Sequence, residues 1–165
     1  MRSWRIAVLA LGGNLGDRKK TIETAIEQLA SQKKIRVLEK SPLVESQALT
    51  EAGTDESKPK YLNGVIKIAT QLRPKKLLRV ITRIENLHGR IRLERWGSRT
   101  LDIDIISYQD VFRSSKHLTI PHPRASERAF VLVPWSMMDE DAILPGHGKV
   151  AELASSMSAQ VWLQK

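Results

Sequence analysis

Two aspartates one residue apart, Asp102 and Asp104, follow a run that carries four arginines, Arg90, Arg92, Arg95 and Arg99. Guanidinium groups keep their charge at any physiological pH and present a planar fork of donors that matches phosphate oxygens. Leu101 to Tyr108 is rich in isoleucine and alternates in part, which predicts a strand. Positions two apart on a strand share a side, so both carboxylates project together. Such a pair repels itself unless a cation lies between, and hard oxygen donors suit magnesium shared with phosphates. Trp96 adds a flat apolar surface. Alone, an Asp-x-Asp is more often a solvated strand face and an arginine run more often plain surface; side by side they favour a metal–nucleotide site.

Several elements must position these groups. Trp4 to Leu11 is almost continuously apolar and ends at Gly12-Gly13-Asn14, which predicts a central strand and a tight turn. Asp17 is a candidate cap for a helix in which Ile22, Ala25, Ile26 and Leu29 recur at helical spacing, ending near Gln32. Ile35 to Val44 predicts a second strand, with Pro42 marking an edge or bulge. The polar segment Ser46 to Lys60 predicts a mobile loop or lid. Tyr61 to Thr70 predicts a third strand, with Leu62, Gly64, Ile66 and Ile68 on the core side and Tyr61, Asn63, Val65 and Lys67 on the other. A second helix begins at Pro74, continues through Leu77, Leu78, Ile81, Ile84, Glu85 and Leu87, and stops at Gly89.

With the aspartate-bearing strand the order is β-α-β-β-α-β. That is an α+β, ferredoxin-like core with an antiparallel sheet, helices on one face and the other face open. Packing Leu101, Ile103 and Ile105 under the helices turns Asp102 and Asp104 towards the open face, within reach of a ligand. The rest reads as additions: an extended run near Leu118, a helical turn at Ala125 to Arg128, an apolar strand from Phe130 to Val133, a short helix from Val150 to Met157 and a tail to Lys165. The expected organisation is a single domain over 1–165.

A net charge of +9 and a pI near 10 favour polyanionic partners of any kind. Aromatic residues make up only 5% of the chain, which weighs against a base-stacking platform. With no cysteine, disulfides, thiolate metal sites and cysteine catalysis are excluded, and a cytoplasmic location is expected. The basic, briefly apolar start MRSWRIAVLALGG reads as a buried strand rather than a signal peptide. No apolar stretch approaches the roughly 20 residues that span a bilayer.

LGGNLGDR at 11–18, YLNGV at 61–65, RIENLHGRIRLERWGSRTLDIDII at 83–106 and IPHPRASERAFVLVP at 120–134 resemble, in order, the motifs of the 6-hydroxymethyl-7,8-dihydropterin pyrophosphokinases of folate biosynthesis. The resemblance implies transfer of pyrophosphate from ATP to the pterin hydroxymethyl oxygen, with release of AMP and two magnesium ions held with ATP. It implies that Asp102 and Asp104 hold the metals and that Arg90 and Arg92 clamp the polyphosphate. Glu85, Arg92, Thr119, His122 and Arg128 fall on the nucleotide and phosphate side. Tyr61 and Phe130 would sandwich the pterin, Asn63 would bond its amide edge, Trp96 would close the pocket, and Ser46 stands at the position of a pterin-side threonine. The implied partners are ATP and the dihydropterin, without nucleic acid or membrane; the chain is expected to be a monomer, with association with neighbouring folate-pathway enzymes left open.

Departures from the pattern fall at Gly13, where serine is common, at Pro123, where an aromatic residue is common, and across SPLVESQALTEAGTDE, which leaves lid geometry and pterin affinity open. Glu85 has an alternative reading as an ion-pair partner of Arg83 or Lys76. Two competing functions are a basic ferredoxin-like RNA-binding module, which lacks the glycine-aromatic signature of that class, and a family member that binds its ligands without turnover.

Overall fold

The computed structural model describes residues 2–89 and 100–164. Arg90, Arg92, Arg95, Trp96 and Arg99 lie outside the described residues.

The chain opens with β1 (Arg5–Gly13), α1 (Arg18–Ala30), β2 (Ile35–Lys40) and β3 (Val44–Ser46). Asp17 caps α1 by accepting from the Lys20 N–H at 3.1 Å, and Ile22, Ala25 and Leu29 form the helix's buried face. The single strand expected over 35–44 is therefore two. Pro42 has no N–H for the ladder, and the strand breaks around it. Ser41 bridges the break: its N–H donates to the Val65 carbonyl and its Oγ accepts from the Val65 N–H, each at 2.8 Å. Leu43 then lies over Gly64, where a Cβ would be only 2.7 Å from the leucine side chain.

Part of the segment expected as a loop folds into a hairpin of β4 (Ala48–Thr50) and β5 (Gly53–Asp55). Thr50 Oγ1 closes its turn, donating to the Gly53 carbonyl at 3.0 Å and accepting from the Ala52 N–H at 3.2 Å. β6 (Tyr61–Thr70), α2 (Pro74–Leu87) and β7 (Asp102–Tyr108) follow as the pattern predicts, and Gly89 leaves α2 with φ at +72°. Beyond them come β8 (Arg113–Ser115), β9 (Leu118–Ile120), a 3-10 turn at Ala125–Glu127, α3 (Ala129–Met138), β10 (Ile143–Leu144), β11 (Gly148–Lys149), α4 (Val150–Ser155) and β12 (Val161–Leu163).

The main sheet is antiparallel in the order β12-β3-β6-β1-β7, with β2 pairing along the other half of β6. With β2 and β3 taken as one interrupted strand, this is the ferredoxin-like order. One face packs on α1 and α2: Leu9, Leu11, Leu62, Ile66, Ile68, Ile103 and Ile105 meet Ile22, Leu29, Leu77 and Ile81 in a continuous core.

The opposite face is not open as expected. Val8, Val44, Val65 and Ile106 are buried there beneath residues of α3 and α4, including Leu132, Trp135, Val150 and Ala154. Phe130 to Val133, expected as a strand, lies inside α3. Buried residues surround this helix on all sides, so its sequence has no polar stripe, and a short apolar run cannot declare its period. The tail also contributes, since β12 pairs with β3 at the edge of the sheet. Near β1, a bulge in β7 leaves Ile106 without a register partner between Ile105 and Ser107. Ile105 enters the helix-side core and Ile106 the second one.

Along this second face β1 presents Val8, then Ala10, then Gly12, so its side chains shrink to nothing towards one end. That end is where buried and half-buried polar groups gather.

Candidate functional site

Gly12 has Asn63 of β6 on one side and Asp102 of β7 on the other as register partners, and Ala10 has Val65 and Asp104. Asn63 and Asp102 thus face the same hollow two strand spacings apart, about 10 Å. A Cβ at Gly12 would overlap Asn63 Oδ1, so the missing side chain leaves room for that amide. Asn63 is buried and donates from Nδ2 to Ser46 Oγ at 3.1 Å. Ser46 pairs in register with Tyr61, which is half-buried. The sequence expectation that Ser46, Tyr61 and Asn63 act together corresponds to one contiguous patch.

Asp102 and Asp104 are half-buried, and the residues between and after them, Ile103 and Ile105, lock the strand into the helix-side core. Glu85 adds a second lock. Only 2% exposed, it accepts the Ile103 N–H at 2.8 Å between the two aspartates. A side-chain acceptor here takes the place of a ladder partner on the edge strand, and it fixes the part of β7 from which both carboxylates project.

Two further groups converge on Asp104. Arg128, the residue preceding α3, places Nη1 at 3.4 Å from Asp104 Oδ2, and His122 Nε2 stands 3.7 Å from the same oxygen. His122 is carried there after β9 by its N–H bond to the Ile106 carbonyl, at 2.8 Å. Its Nδ1 accepts the Arg124 N–H at 3.2 Å, which leaves the ring proton of the neutral form on Nε2, facing Asp104. Burial, reinforced by the Arg128 charge, pushes the imidazole down to about 4, so it is neutral near pH 7. The Arg128 guanidinium also lies 5.5 Å from the ring centre of Phe130, a half-buried residue in the first turn of α3. Thr119 is half-buried in the middle of β9.

Paired oxygen donors on one sheet face, flanked by a cation and a neutral imidazole, suit a hard divalent ion that takes its remaining ligands from phosphates and water. The residues present fit that group.

Residue spacing alone did not reveal the ties that hold the patch of Ser46, Tyr61 and Asn63. Asn14 donates to the Pro59 carbonyl at 3.2 Å. Arg18 donates to the Lys60 carbonyl at 2.8 Å and to Glu45 Oε1 at 2.6 Å. Asn14 and Arg18 belong to LGGNLGDR, and their position in that motif is the one signal that could have marked them. Gly12 read only as part of a turn.

The family model of 7,8-dihydro-6-hydroxymethylpterin-pyrophosphokinase matches residues 8–140. A 2-amino-4-hydroxy-6-hydroxymethyldihydropteridine pyrophosphokinase from Haemophilus influenzae is 36% identical over 92% of this chain and 92% of its own length. A protein of the same name from Synechocystis is 41% identical over 87% of this chain and 71% of its own. Folic acid synthesis protein fol1 of Schizosaccharomyces pombe is 40% identical, but the chain spans only 21% of its length. A crystal structure of wild-type Plasmodium falciparum HPPK-DHPS with pteroate superimposes with a TM-score of 0.72 at 14% identity, covering 94% of this chain and 45% of that one, a likeness of fold. The chain belongs to the 7,8-dihydro-6-hydroxymethylpterin-pyrophosphokinase family.

Proposed function

We propose that this protein transfers the pyrophosphoryl group of ATP to the hydroxymethyl oxygen of 6-hydroxymethyl-7,8-dihydropterin, as a step of folate biosynthesis. The substrate oxygen attacks the β-phosphorus, the bond from that phosphorus to the AMP oxygen breaks, and the hydroxyl proton passes to water. The observation that carries the reading is the row Asn63, Gly12, Asp102: a buried amide and a carboxylate pair share one face about two strand spacings apart, room for a flat bicyclic ring with its reactive arm at the aspartates.

Asp102 and Asp104 would hold magnesium, two ions shared with ATP. Bound there, magnesium would offset phosphate charge and polarise the attacked phosphorus. Arg128 would hold Asp104 in orientation, and neutral His122 would offer its Nε2–H on the phosphate side. Thr119 falls on the nucleotide side. Glu85, buried against Ile103, would serve that side by fixing β7. Asn63, backed by Ser46, would hydrogen-bond the amide edge of the ring; Tyr61 and Phe130 would supply its stacking faces. Arg90 and Arg92 would clamp the polyphosphate and Trp96 would cover the ring. Positioning and fixed charge supply most of the rate, as in other phosphoryl transfers.

The protein would act in the cytoplasm as a monomer on ATP and the dihydropterin, without nucleic acid or membrane; among the described residues no helix is long and apolar enough to cross a bilayer. The larger relatives, in which the matching stretch is a fraction of the chain, are compatible with association with neighbouring folate-pathway enzymes. Incubation with ATP, magnesium and the dihydropterin, followed by chromatography, tests the reaction: AMP and the pterin pyrophosphate are expected, and ADP would overturn it.

A further inference from the structure

We propose that Glu45 and Trp162 are positioning residues for pterin recognition, and that they make the C-terminal strand β12 part of the ring-binding side. The inference rests on the pterin site described under Proposed function.

Glu45 sits between Val44 and Ser46 on β3. Its neighbours' side chains point into the second face, where Val44 is buried in the core and Ser46 bonds Asn63. Glu45 points the other way, and both of its oxygens are engaged. Arg18 donates to Oε1 at 2.6 Å, and the indole N–H of Trp162 donates to Oε2 at 3.1 Å. Trp162 is the register partner of Glu45 across the β12–β3 ladder, so this bond lies directly over the strand pairing.

The same arginine reaches the other side of the patch. Its second terminal nitrogen donates to the Lys60 carbonyl, the peptide that leads into Tyr61, at 2.8 Å. Lys60 returns over Trp162, its ammonium 5.0 Å from the ring centre. Glu45, Arg18, Lys60 and Trp162 therefore close a ring of contacts that fixes β3 against the start of β6. Ser46 and Tyr61 are register partners across that seam, and Ser46 reaches Asn63 from it. A carboxylate with only one donor would be free to swing with Arg18; the tryptophan N–H makes it a fixed point. No part of the ring of contacts touches Asp102, Asp104 or the groups around them in the described geometry. Its influence should fall on the pterin and not on ATP.

The test measures the dissociation constant for the dihydropterin by calorimetry in the presence of a non-hydrolysable ATP analogue, together with steady-state AMP release, for the whole chain and two variants. Trp162→Phe keeps the ring over Lys60 and removes only the donor; Glu45→Gln keeps the shape but has one acceptor oxygen for two donors. Because the lost bond acts on the ring site only through Ser46 and Tyr61, a fraction of its strength reaches the ligand, which predicts a pterin dissociation constant about 3-fold higher for the first and about 10-fold higher for the second. Turnover at saturating pterin and the KM for ATP should stay within about 2-fold of the parent, since no phosphate-side interaction is removed. Unchanged pterin affinity in Trp162→Phe overturns the proposal, and so does a loss shared equally by pterin affinity, ATP KM and turnover, which would mark general loosening. Should Glu45→Gln fail to fold, the phenylalanine variant alone decides. If the parent binds pterin without releasing AMP, the proposed reaction fails while the affinity ratios still judge this inference; absence of pterin binding by the parent overturns both.

Discussion

Replacing Gly12 by alanine asks whether the hollow between β6 and β7 is set by the absence of one side chain. The added methyl would overlap Asn63 Oδ1 and lie 3.3 Å from the Leu62 carbonyl oxygen. The backbone of β6 is paired on both sides, so the easier relief is rotation of the Asn63 amide, which breaks its 3.1 Å bond to Ser46. Both residues are 6% exposed, and leaving such groups unpaired costs about 1–3 kcal/mol. Removing a glycine returns about 0.4–1 kcal/mol through the unfolded chain, for a net loss of roughly 1–2 kcal/mol. A displaced amide also loses one or two hydrogen bonds to the ring, which predicts a pterin KM about 10- to 100-fold higher. Urea denaturation and steady-state kinetics read the two effects. In an Asn63→Ala background the methyl meets no amide, so the same substitution should cost little more, giving a coupling of about 1 kcal/mol between the sites. Additive effects, or a parental pterin KM in Gly12→Ala, would refute the reasoning.

Asp102→Ala and Asp104→Ala should each abolish most turnover while the urea midpoint stays near the parent's, and a near-normal rate in either variant would reject the metal role. Glu85→Ala leaves the Ile103 N–H orphaned and should cost about 1–3 kcal/mol in urea together with at least about a tenfold fall in kcat, whereas Glu85→Gln, which still offers an acceptor, should retain most of both. Arg92→Ala should lower kcat more than it raises the pterin KM, and a selective loss of pterin affinity would contradict the clamp. The hydrogen bond from Arg18, followed by that from Trp162, holds the Glu45 carboxyl below its ordinary value of 4.5. The unfolded chain then takes up the proton first, so this contribution is complete above that value and fades as pH falls through the lower folded one. Unfolding free energies measured from about pH 6 to about pH 3 should therefore drop less steeply in Glu45→Gln than in the parent.

The elements that proved legible are those whose pattern has a single solution. Strict alternation around Asp102 and Asp104 placed both carboxylates on one face, and the i, i+3, i+4 spacing of Leu77, Ile81 and Ile84 placed α2 beneath them. Phe130 to Val133 lacks that discrimination, because a segment buried on every side has no polar positions to mark its period. The second core was hidden for the same reason: Val8, Val65 and Ile106 looked like the back of a sheet, and their cover comes from residues more than sixty positions later in sequence than Val65. Pairwise ties such as Glu45 with Trp162 depend on the register of β12, a three-residue strand with no pattern of its own. Glu85 was legible as a residue of note, whereas its partner, a backbone N–H of β7, has no sequence signature.

The tapering row Val8, Ala10, Gly12 has a consequence for how this protein can change. None of the three carries a functional group; Val8 is buried under α3 and α4, and on the proposed function Ala10 and Gly12 would set how deep a guest can sink before it meets the sheet. Their strand cannot slide to offer a different trio, because Ala7, Leu9 and Leu11 are pinned in the helix-side core. On the proposed function, substrate shape would thus be inherited from the packing of the scaffold, and the two could not be tuned separately. Selection for a bulkier ring would find its route barred at Ala10 and Gly12, which are already near their minimum, and would have to act on the residues above the hollow. An inhibitor that fills the hollow to its floor would meet the part of the site least free to mutate.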